Sequence, residues 1–202
     1  SIPDVHPYST WGDIKDAELI SIPLDSVVDW VLIQLISPQD EVIESHALLL
    51  KATGDVVDPR GTNMIQFIHS VDGNRLAVRH RNHLGALCST PVVGGQMVDF
   101  SNPTTQTYGT NAVKTNSGRS ALWAGDVNHD NLIKYTGTQN DRDQVLLRVG
   151  GIPNQISVGY YDEDVNLNGS VRYTGSGNDR DPVLVNVGAT TPNGVRVAQL
   201  PY

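Results

Sequence analysis

Oxygen-bearing side chains recur at alternate positions in two short segments of the C-terminal third of the chain. Residues 126–131 read DVNHDN, and residues 164–169 read DVNLNG. Carboxylate and amide oxygens spaced in this way converge when a loop coils around a cation, and Ca²⁺ takes about six to eight oxygen ligands. The pattern therefore predicts one calcium ion in each segment, two in all.

Each segment matches the first half of an EF-hand calcium loop, position by position. The sixth position must turn sharply, and Asn131 and Gly169 both tolerate left-handed backbone angles. The eighth position places an apolar residue inward, here Ile133 and Val171. The expected donors are the side chains of Asp126, Asn128 and Asp130 with the carbonyl of Leu132, and the side chains of Asp164, Asn166 and Asn168 with the carbonyl of Ser170.

The end of each loop departs from the EF-hand pattern. The twelfth position, which carries a bidentate carboxylate in that pattern, is Gly137 in the first loop and Gly175 in the second. Carboxylates arrive a few residues later, in NDRD sequences. The candidates for the closing ligand are Asp141 or Asp143 in the first loop, and Asp179 or Asp181 in the second.

A proline bears on these closing residues. Pro182 directly follows Asp181, and proline is favoured in the first turn of a helix. We therefore expect short helices after the loops, with Asp143 and Asp181 at their starts, as N-caps or as closing ligands.

The duplication extends past the loops. KYTG at 134–137 matches RYTG at 172–175, and each repeat ends in a short apolar stretch and a glycine. Such repetition indicates two equivalent structural units. A single acidic turn is commonly held by Asx-type hydrogen bonds alone. Two copies with the same continuation favour calcium, and a repeated Asx turn is the alternative.

The repeats resemble dockerin-type calcium loops, in which a truncated EF-hand lacks its entering helix. More closely, the run WAGDVN at 123–128 resembles part of a C-terminal module of large secreted and cell-surface proteins of Bacteroidota. Further matches to that family are VDWVL at 28–32, GDVVD at 54–58, VRHRNHLG at 78–85 and VDF at 98–100. The resemblance implies an extracellular β-sandwich, Ig-like or prealbumin-like, joined to a calcium-bound dockerin-like pair without known catalysis.

Strand patterns precede the repeats. They follow an extended, proline-rich lead-in over residues 1–23, in which Trp11 is the expected packing anchor. Residues 101–120 are polar, which predicts a linker or an irregular crossover. Short apolar or alternating stretches bounded by turn residues predict antiparallel strands, and they lie at 30–36, 45–51, 64–68 and 75–81.

The expected fold is mainly β and has two domains. An antiparallel β-sandwich covers residues 1–115, and a duplicated dockerin-like calcium-binding module with short helices covers residues 116–202. Cys88 is the single cysteine and lies in an apolar context, so we expect it to be buried and without a disulfide. His80 and His83 point to opposite faces of a strand, which favours packing over joint ligation of a metal.

Composition argues against several functional classes. The net charge of -8 disfavours nucleic-acid binding, which needs clustered Lys and Arg. No apolar run is long enough to cross a bilayer, so we expect no membrane insertion. The resemblance implies an extracellular or cell-surface protein, and no signal-peptide pattern opens the chain, so we expect that its signal peptide has been removed. Motifs such as GxSxG and HExxH are missing, so we predict no enzymatic activity and calcium that serves structure.

Three functions stay open on these observations. The main prediction is a structural module or subunit of an extracellular, cell-surface or filamentous assembly. Docking to a partner protein and carbohydrate binding are the alternatives, the latter through Trp11, Trp30 and Trp123, although core packing of these rings is favoured. The expected partners are other cell-surface proteins, glycans or a second copy, joined head to tail by strand exchange through the chain ends.

Overall fold

The fold is mainly β, as predicted, and its strands pair antiparallel. The computed structural model describes residues 2–14 and 20–201. Within these residues no helix is both long and apolar enough to span a membrane. The strands are β1 (Val27–Ile36), β2 (Val42–Lys51), β3 (Val56–Val57), β4 (Arg75–His80), β5 (His83–Leu87), β6 (Lys114–Asn116), β7 (Arg119–Ala121), β8 (Leu132–Lys134), β9 (Ile156–Val158), β10 (Ser170–Arg172) and β11 (Val195–Val197), and the helices are α1 (Asp141–Arg148) and α2 (Arg180–Val187).

The chain divides into two compact units. The loop unit comprises Arg81–Leu84 and Trp123–Ala198, and the sheet unit comprises most of the remaining chain. Sequence reasoning drew the domains as 1–115 and 116–202, because it groups residues that are neighbours along the chain. The assignment of residues Arg81–Leu84, the turn after β4 and the start of β5, to the loop unit has no counterpart in that prediction.

One five-stranded sheet organises the sheet unit, in the order β3-β2-β1-β4-β5. The central strand β1 pairs with β2 and β4, and it is buried on both faces from Asp29 to Ile36. Because side chains alternate along a strand, Val31 and Ile33 lie on one face and Leu32 lies on the other. The first face packs against irregular segments that follow β3, through Ile65, Phe67, Phe100, Val113 and Leu122.

The N-terminal segment supplies a buried residue that the sequence did not indicate. Tyr8 is 1% exposed, and its hydroxyl donates to the carbonyl of Trp30 at 2.7 Å. The Trp30 ring nitrogen donates in turn to the carbonyl of Pro3 at 2.9 Å. Trp11, the predicted anchor, is only half-buried. Its ring packs edge-on against that of Tyr8, with 5.4 Å between the ring centres. Hydrogen bonding of the Tyr8 hydroxyl makes its burial favourable.

The strand predicted at residues 64–68 is wrong. The segment is irregular, because the N–H groups of Ile68 and His69 donate to the buried carboxylate of Glu44 instead of to a neighbouring strand. Residues 101–120, predicted as a linker or an irregular crossover, include β6 and part of β7, which pair with each other. The strands predicted at 30–36, 45–51 and 75–81 correspond to β1, β2 and β4. A β-sandwich is not confirmed.

In the loop unit, each repeat forms its strand pair with a strand from the other repeat. The loop strand β8 of the first repeat pairs with β11, which follows the helix of the second repeat. The loop strand β10 of the second repeat pairs with β9, which follows the helix of the first. Each repeat therefore supplies the partner strand for the loop of the other.

Candidate metal sites in the loop unit

The two loops have the same backbone conformation at matching positions. Asn131 and Gly169, at the sixth position, have φ values of 63° and 82°, which confirms the predicted sharp turn. His129 and Leu167, at the fourth position, also have positive φ, at 60° and 59°. A leucine rarely adopts this conformation, so the local hydrogen bonds of the loop must hold it there.

The apolar residue at the eighth position points inward in both loops, as predicted. Ile133 and Val171 are fully buried. Ile133 lies in one cluster with Val183 and Val187 of α2, so it packs against the helix of the other repeat. Val171 lies likewise in a cluster with Val145 and Val149 of α1.

The first carboxylate of each loop is buried and accepts backbone hydrogen bonds. Asp126 accepts from the N–H of Asp130 at 3.1 Å. Asp164 accepts from the N–H of Asn168 at 3.0 Å and from that of Gly169 at 2.8 Å. These bonds coil the backbone around the first side chain.

Asp141 and Asp179 lie inside the loops and have no exposed surface. The two oxygens of Asp141 accept from the N–H groups of Val127 at 3.0 Å and Lys134 at 2.8 Å. Asp179 repeats this arrangement, with the N–H of Asn166 at 3.2 Å and that of Arg172 at 2.8 Å. Each of these carboxylates therefore ties the beginning of its loop to the loop strand.

Asp143 and Asp181 are exposed, and the prediction that they are N-caps is wrong, because Asn140 and Asp179 occupy the N-cap positions of α1 and α2. Their side chains are 51% and 55% exposed. The cap of α1 is Asn140, whose side chain accepts the N–H of Asp143 at 3.0 Å and donates back to its carboxylate at 2.8 Å. Asn178 makes the same pair of bonds with Asp181. This reciprocal box places the acid in the first turn of the helix.

The remaining predicted donors bond within their own loops. Asp130 accepts the N–H of Leu132 at 2.9 Å, and its other oxygen lies 3.3 Å from the Lys134 ammonium. Asn128 accepts the N–H of Asp130 at 3.0 Å. In the second loop, Asn168 accepts from the N–H and the hydroxyl of Ser170, and the side-chain amide of Asn166 donates to the carbonyl of Gly177.

Burial and neighbouring charge raise the pKa of three loop carboxylates, those of Asp126, Asp141 and Asp179. Burial, with the charges of Asp141 and Asp130, raises the pKa of Asp126 to about 7. Burial also raises the pKa of Asp141 to about 7. In the second loop, burial and the charge of Asp164 raise the pKa of Asp179 to about 6. Two carboxylates that share a buried site need a proton or a cation between them.

The donor chemistry of the two loops fits a hard cation. In the part of the chain that the structure describes, no three His, Cys, Asp or Glu side chains form a group that could hold a metal ion. The second loop has only Asp164 and Asp179 as carboxylates, and its other donors are amide, hydroxyl and carbonyl oxygens. In the first loop, Asp130 lies beside Lys134. Carboxylate, amide and carbonyl oxygens are the ligands that Ca²⁺ takes.

Other residues singled out by sequence take structural positions. Burial raises the pKa of the Cys88 thiol, and the thiol is buried as predicted. The ring of His80 lies 3.2 Å from Asp29, and that of His83 lies 2.8 Å from Asn82.

Sequence reasoning assigned Arg81 and Asn82 no role at the loops, because their contacts with Tyr161 and Asp162 span eighty residues of chain.

Comparison of the chain with protein-family models, with curated proteins and with solved structures finds no match.

Proposed function

We propose that this chain is a non-enzymatic structural protein of the cell surface or extracellular space, stabilised by two calcium ions in the loop unit. The observation that carries the proposal is the pairing of buried carboxylates in each repeat: Asp126 with Asp141, and Asp164 with Asp179. Without a cation, one carboxylate of such a pair must stay protonated, or the two negative charges repel each other. A calcium ion supplies the neutralising charge when it is bound.

The residues proposed to hold each ion come from one segment of the chain. Asp141 and Asp179 are proposed to close the loops, since they are buried beside the first carboxylates while Asp143 and Asp181 face solvent. The full proposed sets are Asp126, Asn128, Asp130, Leu132 and Asp141, and Asp164, Asn166, Asn168, Ser170 and Asp179. Donors drawn from a single closed loop suit a structural ion, because a catalytic metal keeps an open position.

The proposal includes a dockerin-like module in the loop unit and an Ig-like or prealbumin-like sandwich in the sheet unit. A dockerin-like module is supported by two loops that are each followed by an eight-residue helix, α1 or α2. An Ig-like or prealbumin-like sandwich is supported by an antiparallel sheet whose central strand is buried on both faces.

A docking function is the second candidate. Leu147 and Val185 occupy equivalent positions of α1 and α2 and are 66% and 53% exposed. Large exposed apolar side chains on a short helix suit contact with another protein. No comparable observation favours glycans, because Trp30 is fully buried and the guanidinium of Arg196 covers Trp123 at 3.5 Å from the ring centre.

Assembly of copies into a filament remains part of the proposal. Segments near both ends of the chain contact their own units: β11 pairs with β8, and Ile14 forms a bridge to Ser45 of β2. Head-to-tail exchange would require one of these contacts to open. Light scattering of the full chain beside a version lacking residues 1–10 tests this, and monodisperse full-length chains at high concentration with calcium would exclude it.

Calcium titration tests the central proposal. We expect isothermal calorimetry to find two bound ions, and the melting temperature to rise with calcium and fall with chelator. A ligand that binds only the folded state stabilises it by about 2.7 kcal/mol at a hundred times its dissociation constant. Asp126→Ala and Asp164→Ala should each remove one ion.

Asp143→Ala and Asp181→Ala are the matched controls, and both should still bind two ions, with a small loss of helix stability from the broken capping box. Absence of calcium heat together with an unchanged melting temperature in chelator would defeat the proposal.

A further inference from the structure

The turn between β4 and β5 contributes two buried polar residues to the loop unit, although both precede the duplicated segment in sequence. Asn82 has no exposed surface, and Arg81 is 2% exposed. Polar side chains are buried where their hydrogen-bonding groups find partners. The partners of these two residues therefore indicate their role.

Asn82 and Arg81 hold the start of the second loop through their side chains. The side-chain amide of Asn82 donates to the carbonyl of Asp162 at 2.7 Å and to that of Asp164 at 2.8 Å. The guanidinium of Arg81 donates to the carbonyl of Tyr161 and lies 4.2 Å from the ring centre of Tyr160. The backbone that leads into Asp164, the first proposed ligand, is fixed by these bonds.

The same two residues hold the first loop through their backbone oxygens. The carbonyl of Asn82 accepts the N–H of Gly125 at 2.8 Å. The carbonyl of Arg81 bonds a ring nitrogen of His129. Gly125 and His129 lie on either side of Asp126, so the turn fixes the first loop on both sides of its first proposed ligand.

We propose that Asn82, together with Arg81, is a positioning residue for both calcium loops and couples them. The proposal rests on the proposed calcium binding. An ion that orders one loop also holds the turn in the geometry that the other loop needs, and such coupling acts equally in both directions. Partners that orient metal ligands from outside typically change metal affinity by about 10- to 100-fold when removed.

Asn82→Ala in the full chain tests the proposal against Asn74→Ala. Asn74 is a control in the sheet unit, since its side-chain amide also donates to a backbone carbonyl in a turn, that of Ser70 at 2.8 Å, at a more exposed position. We expect calorimetry to show that Asn82→Ala binds calcium at least about tenfold more weakly than the unaltered protein. Asn74→Ala should bind calcium as the unaltered protein does.

A second readout needs no metal. In chelator, hydrogen exchange at the amides of Asp130 and Asn168, which bond the first carboxylate of each loop, should be faster in Asn82→Ala and unchanged in Asn74→Ala. If Asn82→Ala fails to fold, Asn82→Leu serves instead, because it keeps nearly the size of the side chain and adds no buried charge while losing both donated bonds.

The outcomes separate the two proposals. Folded Asn82 variants with unchanged calcium affinity and unchanged exchange in both loops would overturn the positioning role. An unaltered protein that binds no calcium would defeat the proposed function, and the exchange measurement would still decide whether Asn82 positions the loops.

Discussion

The buried carboxylates of the two loops carry an energetic cost that the rest of the molecule must offset when no cation is bound. Asp126 and Asp141 have a pKa of about 7, against 3.8 for an ordinary aspartate. Each pKa unit corresponds to about 1.4 kcal/mol. At neutral pH the ionised pair therefore disfavours the metal-free fold, and a bound cation would reverse that effect.

The stability of the metal-free protein should consequently fall as the pH rises from about 5 to about 8. A carboxyl whose pKa is raised by folding stabilises the fold below its unfolded pKa and loses that contribution as the pH passes its folded pKa. For Asp126 and Asp141 the folded pKa is about 7, and for Asp179 it is about 6. Urea unfolding in chelator across this range measures the effect, and excess calcium should abolish the decline.

Asp126→Asn provides the control for this pH dependence, because it removes one buried charge at nearly constant size. We expect a flatter profile, a more stable metal-free protein at neutral pH and one calcium ion fewer. Glu44 does not interfere: its burial is outweighed by hydrogen bonds from Ile68 and His69, which lower its pKa to about 2, so its contribution is constant above about pH 5. A flat profile in the unaltered protein would contradict the prediction.

At the scale of elements, each repeat is completed by the other. Its loop strand pairs with a strand from the other repeat, and its eighth-position residue packs on the helix of the other repeat. Thr136 bonds the carbonyl of Pro192, and Thr174 bonds that of Pro153, in the same crossed sense. A single repeat therefore lacks a core of its own.

Double-mutant cycles should detect this crossed packing. Ile133→Ala should cost about 2–5 kcal/mol of unfolding free energy, as other large-to-small core substitutions do. Combined with Val183→Ala of α2 it should be non-additive by about 0.5–3 kcal/mol, because the two side chains share one cluster. Combined with Val145→Ala of α1, the helix of its own repeat, it should be nearly additive.

Denaturant unfolding measures these free energies, and Val158→Ala, at a site that is 76% exposed, serves as the neutral substitution. The reverse pattern, with coupling to Val145 and none to Val183, would contradict the crossed arrangement.

Features that depend on residues close together in sequence could be predicted. Features that depend on contacts between distant parts of the chain could not. The inward Ile133 and the left-handed Asn131 follow from their positions in the loop. The strand expected at 64–68 does not form, because the N–H groups of Ile68 and His69 donate to the carboxylate of Glu44, which precedes Ile68 by 24 residues. The crossed pairing of the loop strands has no signal in either repeat alone.

At the scale of the whole molecule, the hydrophobic clusters fall within separate units. Those around Val31 and Ile36 belong to the sheet unit, and those around Ile133 and Val145 belong to the loop unit. Changes in the core of one unit should therefore leave the ligands of the other unchanged.

Tyr8→Ala should expose this separation. Loss of a buried aromatic ring costs about 3–5 kcal/mol, and the hydrogen bond to the Trp30 carbonyl is lost with it. We expect a lower melting temperature and an unchanged calcium affinity. Trp11→Ala, at the half-buried neighbour, should cost less. Calorimetry with and without calcium measures the melting temperature and the calcium affinity of both variants. A larger loss of melting temperature in Trp11→Ala than in Tyr8→Ala would contradict the assignment of Tyr8 as the anchor.

The crossed pairing of β8 with β11 and of β9 with β10 bears on how such a unit could originate. In a peptide that carried one repeat, the loop strand could form these backbone hydrogen bonds only by exchanging strands with a second peptide across a twofold axis. Tandem duplication of the gene segment would join the two halves and replace a concentration-dependent association with an intramolecular one. The loop unit has the internal architecture of a symmetric dimer made on one chain.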